Sequence, residues 1–122
     1  MKKKKKKKTT NEVLDHHLAA MNLGIEEIMK DYNDQSVVIT QQKSFCGEQD
    51  IQAGFTEQAK NFPPGFMDAF TIKNRVVKGE CAYIVLEALP WVELGTDTLI
   101  IRDGIIKQQT TASKAADSPS SM

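Results

Sequence analysis

One acidic residue among apolar ones constrains this chain more than any other feature. The stretch from Gly95 to Gln109 reads as two strands joined by a tight turn at Asp103-Gly104. Alternate residues of a strand share a face, so Asp97 lies with Leu99 and Ile101, while Thr96, Thr98, Ile100 and Arg102 line the other side. If the Leu99 face is buried, the Asp97 carboxyl loses water, tends to stay protonated and needs a polar partner. A polar group in an apolar pocket has this signature.

Around that hairpin the pattern is mixed. Leu14, Leu18, Met21, Ile25, Ile28, Met29 and Tyr32 recur at three- and four-residue steps, which predicts helices over about 12–22 and 25–32, broken at Asn22-Leu23-Gly24. Ser36 to Thr40 is a short β-branched strand, and Gly47 opens a third helix with Ile51, Phe55, Ala59 and Phe62 on its apolar face, stopped by Pro63-Pro64-Gly65. Gly54 inside that helix is a local conflict that permits close packing. From Phe66 onward strands are expected: Phe66 to Val77, a turn at Lys78-Gly79, Glu80 to Ala88, then the hairpin. Helices grouped apart from a curled antiparallel sheet make an α+β layout, with ligand access between the two.

At 122 residues the chain is one domain. Its zero net charge hides an asymmetry: Lys2 to Lys8 hold seven of the sixteen basic residues, so the remainder carries −7 and should repel phosphate backbones. No specific nucleic-acid partner is expected. Residues 1–10 read as a disordered polylysine arm, 11–110 as the domain, and 111–122 as a disordered tail poor in large apolar groups. Thr9-Thr10-Asn11-Glu12 stands where a secretory signal would turn apolar, so neither a signal peptide nor a transmembrane segment is expected. Cys46 and Cys81 lie far apart with no clustered histidine, which argues against a zinc site and for a reduced, cytoplasmic protein.

The order of elements, with the helix ending at Met21 to Gly24, the phrase Asp31 to Ile39, Phe45-Cys46-Gly47 before Ile51 and Phe55, and the hairpin itself, resembles the nuclear transport factor 2-like superfamily. Within it, the SnoaL-like and ketosteroid-isomerase-like groups are the nearest in pattern. The resemblance covers nearly all of residues 11–110. It implies a cone, a cystatin-like α+β roll in which a strongly bent sheet wraps about three helices and a pocket opens at one end. It also implies a homodimer through the outer sheet face. Members include isomerases, cyclases and hydrolases as well as assembly modules without catalysis. By the resemblance, His17 falls where the isomerases place an oxyanion-stabilising tyrosine and Asp97 where they place a protonated aspartic acid. Their general base aligns with Thr40, which cannot take a proton from carbon near neutral pH.

His17 lies on the apolar side of the first helix beside Val13, Leu14 and Met21, whereas His16 points the other way. Two readings of His17 stand open. In one it forms an acid–base centre with Asp97; in the other the two are a buried polar pair that fixes helix to sheet. Tyr32, Thr40, Phe55, Trp91 and Leu99 are the expected pocket residues, with Trp91 either capping the mouth or packing in its loop. Phe45, Phe55, Phe62, Phe66 and Phe70 read mainly as core, Glu87 as a solvent-side residue or second pocket carboxylate, and Arg102, Lys107 and Gln109 as outer-surface groups. The function expected is binding of a small apolar or aromatic molecule, with cofactor-independent isomerase, cyclase or hydrolase chemistry if the site is catalytic, and no metal. The alternative is a non-enzymatic dimeric assembly module.

Overall fold

The computed structural model describes residues 8–116, so residues 1–7 of the expected arm (1–10) and the end of the tail (117–122) lie outside the described residues, while Thr9 and Thr10, expected in that arm, belong to the first helix because they cap and open it. Helix α1 (Thr10–Ala20) begins at a capping box: the Thr9 hydroxyl accepts from the Glu12 amide at 3.1 Å, and the Glu12 carboxylate accepts from the Thr9 amide at 2.8 Å. Val13, Leu14, His17 and Ala20 form its buried face. The break at Gly24, with φ 109°, leads to α2 (Ile25–Ile28), which tightens into a 3-10 turn (Met29–Asp31) rather than continuing as one helix to Tyr32.

Strand β1 (Val37–Ile39) pairs antiparallel with β2 (Ser44–Cys46), a strand the sequence pattern does not predict. Gly47 opens α3 (Glu48–Lys60) as expected. A Cβ on Gly54 would stand 2.5 Å from the Phe45 ring, so the glycine lets α3 settle onto β2. Gly65, in the left-handed region at φ 82°, then starts a one-turn helix α4 (Phe66–Ala69) where a strand was expected.

The remaining strands are β3 (Phe70–Lys78), β4 (Cys81–Ala88), β5 (Val92–Arg102) and β6 (Ile105–Ala115). Asp103 and Gly104, at φ 56° and 77°, join the last two with the left-handed conformations that such a hairpin turn requires. One six-stranded sheet results, in the order β2-β1-β6-β5-β4-β3, antiparallel except where β1 runs parallel to β6. Register shifts within the β3–β4, β4–β5 and β5–β6 pairs bend it. The folded segment does not end at Thr110: Ser113 pairs with Gly95 and Ala115 with Val92, because backbone ladder bonds hold a strand whose side chains are small and polar.

The sheet curves over the helices, giving the α+β layout expected. Leu14, Ile51, Ile84, Leu99 and Ile106 fill the space between them. Of the five phenylalanines, Phe45, Phe55 and Phe70 pack against this core, but Phe62 and Phe66 leave it to stack on each other at 4.5 Å between ring centres. Proline 63 and proline 64 carry the chain away from the core just there. No described helix is long and apolar enough to cross a membrane.

Candidate functional site

The concave face of the sheet carries two cross-strand rows. Ile84, Asp97 and Thr111 stand directly opposite one another on β4, β5 and β6, and Ala82, Leu99 and Gln109 form the next row. Directly opposed residues share a face, so Asp97 points to the side where Ala82, Ile84 and Leu99 are fully buried, as the alternation predicts. Burial there pushes the Asp97 carboxyl up to about 6, against a smaller opposing effect from its hydrogen bond with Thr111. The shift runs in the direction the sequence reading gives, toward the protonated form.

Tyr32, at the end of the 3-10 turn, is buried and its hydroxyl donates to Gln109 Oε1. Burial first, then the negative charges of Asp31 and Asp97, hold that hydroxyl well above its ordinary value, so it stays a donor. The edge of its ring meets Phe55 at 5.5 Å and His17 at 6.4 Å between centres. His17 is 5 % exposed, and among the described residues its Nδ1 has no hydrogen-bond partner. Burial, aided by the charge on His16, lowers its pKa to about 4, so the ring is neutral at pH 7 and offers one donor and one acceptor. An orphaned buried nitrogen costs about 1–3 kcal/mol and calls for an explanation. Tyr32 thus links the two residues singled out in the sequence, touching His17 through its ring and sensing Asp97 through its hydroxyl.

The other expected pocket residues divide. Phe55 and Leu99 wall the same interior. The Thr40 hydroxyl instead closes the β1–β2 turn, accepting from the Lys43 amide at 3.0 Å and donating to the Lys43 carbonyl at 3.1 Å. Trp91 joins Phe66, 5.9 Å away, in an aromatic group with Phe62. Glu87 shares the outer face with Tyr83 and Val85 and lies 3.7 Å from Lys73, so it is no second pocket carboxylate. No cluster of His, Cys, Asp or Glu among the described residues could hold a metal ion.

Three residues of consequence escaped the sequence pattern. Gln109 was assigned to the outer surface, yet it is buried: the register shift between Ile100 and Ile101 adds a residue to β6 after Ile106, which turns Gln109 and Thr111 inward. Strict alternation cannot see a bulge. Asp31 is 1 % exposed and bound to His16, whose Nδ1 lies 2.8 and 2.7 Å from the two carboxylate oxygens and whose Nε2 lies 2.5 Å from Glu27. Here a signal existed, since Asp31 follows Ile25 and Ile28 at three-residue steps and is as misplaced on a helical face as Asp97 is on a strand.

Volume and chemistry part company. A surface depression of about 800 Å³ beside α3 is lined by Asp34, Cys46, Glu48, Gln49 and Asp50, and one of about 490 Å³ by Gln52, Ala53, Thr56 and Glu57. Neither is lined by His17, Tyr32 or Asp97; the first has a mainly polar, acidic lining and the second mixes polar and apolar surface. The perturbed buried groups lie apart from these open hollows.

No protein-family model matches the chain, and no curated protein matches it either. Solved structures do. An NTF2-like protein of unknown function from Mesorhizobium loti superposes with a TM-score of 0.72 at 17 % identity, covering 93 % of this chain and 97 % of the other. A candidate ketosteroid isomerase from Kribbella flavida gives 0.68 at 16 %, covering 93 % and 84 %, and a candidate SnoaL-like polyketide cyclase from Shewanella denitrificans gives 0.67 at 13 %, covering 86 % and 90 %. At such identities the likeness establishes the fold alone. The chain has the nuclear transport factor 2-like fold.

Proposed function

We propose that the protein binds a small, largely apolar or aromatic molecule on the concave side of its sheet, with His17 and Asp97 as the polar centre, and that any turnover there is cofactor-independent acid–base chemistry of the isomerase, cyclase or hydrolase kind. The observation that carries this reading is a buried tyrosine, Tyr32, whose ring meets His17, a histidine with an unpartnered buried nitrogen, and whose hydroxyl feels the charge of Asp97, an interior carboxyl with a pKa of about 6. Such a carboxyl is well matched to take a proton from a carbon acid or from water near neutral pH. The neutral His17 ring would then donate from its unpartnered nitrogen to the substrate oxygen on which charge gathers, beside Tyr32, whose hydroxyl is already committed to Gln109. Asp97 takes the part of base because Thr40, which aligns with the usual base, is bound up in a turn. The candidate isomerase and cyclase among the structural neighbours support the same class of chemistry. The reading places the protein in the cytoplasm.

A thermal-shift series with small ketones, lactones, epoxides and aromatic acids tests it, since a ligand of the folded state raises the melting temperature by mass action. Stabilisers should lose their effect in His17→Ala and Asp97→Asn. Shifts that persist unchanged in both variants would put the binding site elsewhere.

A second reading, assembly without catalysis, rests on the outer sheet face. Tyr83, Thr98 and Thr110 stand in register there beside Val85, Thr96 and Ala112, an uncharged band with Tyr83 37 % exposed. A homodimer through this band would cover it. Tyr83→Glu should then convert a dimer into a monomer in sedimentation; a mass unchanged by that substitution would dismiss this interface.

A further inference from the structure

The residues that flank the proposed site in sequence form a second constellation on the other side of α1. His16 precedes His17, and Asp31 precedes Tyr32. Both ring nitrogens of His16 face carboxylates, Nδ1 the Asp31 pair at 2.8 and 2.7 Å and Nε2 Glu27 at 2.5 Å. A neutral imidazole carries one N–H and could satisfy only one of them, leaving a lone pair against carboxylate oxygen. Two acceptors therefore call for the imidazolium, which donates from both nitrogens. Asp31 is buried, so its carboxylate depends on that cation.

We infer that His16 is a positioning residue whose imidazolium latches the 3-10 turn and α2 onto α1, setting where Tyr32 and His17 stand, with the latch closed while His16 holds its proton and released as pH rises. The charged groups around it are few. Glu27 on α2 is also held by Lys30 at 2.9 Å, while on α1 the Glu12 carboxylate is occupied at the Thr9 cap. Burial raises the Asp31 carboxyl above its ordinary value against the opposing hydrogen bond and charge of His16, and Lys8 stands near enough to favour that carboxylate a little and to disfavour the His16 cation slightly. Hydrogen bonds from Glu27 and then Asp31 outweigh desolvation and raise the His16 pKa above its ordinary 6.5. The sign follows: a histidine whose folded-state pKa is raised contributes its stabilisation below 6.5 and loses it as pH climbs through the raised value. Release also removes the neighbouring charge that lowers His17, so the two histidines are coupled through the helix that carries them.

The latch does not need the interior to bind anything. Only its bearing on binding rests on the function proposed above, and a ligand-free experiment separates the two. In the full chain, the His16, His17 and Tyr32 ring resonances are followed by NMR from pH 5 to 9. Above pH 6.5 all three should move together with one midpoint. His16→Arg, which keeps a cation at every pH, should abolish that step for Tyr32 and His17, as should His16→Gln, which has none. Glu27→Gln, at a partly exposed position that should leave the fold intact, should keep the step but lower its midpoint, which covers the case in which a His16 variant fails to fold. Tyr32 and His17 resonances that stay still above pH 6.5, or that keep their midpoint in Glu27→Gln, would overturn the inference.

Discussion

Consecutive histidines on one helix meet opposite fates here, and the difference follows from what each side of α1 packs against. His16 faces outward between two carboxylates, is satisfied at both nitrogens, and holds its proton above the ordinary range. His17 faces inward, has a nitrogen with no partner among the described residues, and gives up its proton down to about pH 4. A single backbone step of about 100° around the helix separates a salt-bridged clamp from a desolvated ring. Satisfied polar clusters stabilise and position. The unsatisfied one is, on the function proposed above, where a ligand would have something to complete.

The largest expected effects come from setting His17 against Asp97 in acid. His17 has its pKa lowered from 6.5 to about 4 by folding, so it contributes stability above 6.5 that is lost as pH falls toward 4, about 3 kcal/mol in all. Asp97 has its pKa raised from 3.8 to about 6, so its contribution runs the other way, rising by about 2–3 kcal/mol as pH falls through the same interval. Denaturant unfolding of the native chain should be nearly flat there as far as these two groups decide it. Asp97→Asn should unmask a steep acid loss and His17→Phe an acid gain; parallel profiles for the two variants would break the comparison.

Next in size is the outer clamp. Asp31→Ala removes the buried partner of His16 and should cost about 2–3 kcal/mol at pH 7 by equilibrium unfolding, somewhat less than a fully buried pair because the imidazole keeps some contact with water. A cost within experimental error would mean the cluster is ornamental. The smallest effect has the opposite sign. His17→Phe at pH 7 replaces an orphaned ring by an apolar one of similar shape and should stabilise by about 1 kcal/mol, roughly 4 °C in melting temperature, while abolishing ligand-induced shifts. A destabilised variant would show that His17 already has a partner in solution.

Much of this was legible in the chain. The periodicity of the first helix, the Asp103-Gly104 turn and the inward face of β5 follow from local rules, because each depends on neighbours in sequence, and the glycine at position 54 flagged the close approach to Phe45. What was hidden depends on partners distant in sequence. Ser44 to Cys46 becomes a strand only because β1 lies beside it, α4 is a single turn without room for a period, and Thr111 to Ala115 are held by the β5 backbone rather than by apolar side chains. Within the site, Asp97 and His17 stood out as polar residues on apolar faces. Gln109 and Thr111 did not, since one bulge reverses the face assigned to Gln109 and brings in Thr111, which the pattern left to the tail.

The central claim is that Asp97 sits with Tyr32 and His17 in one desolvated interior. Carbon-detected NMR titration of the Asp97 carboxyl in the ligand-free protein addresses it most directly. The account predicts a midpoint near pH 6, with the same midpoint echoed in the Tyr32 and His17 ring resonances and lost from them in Asp97→Asn. A carboxyl titrating near pH 4 with no echo in either ring would contradict it.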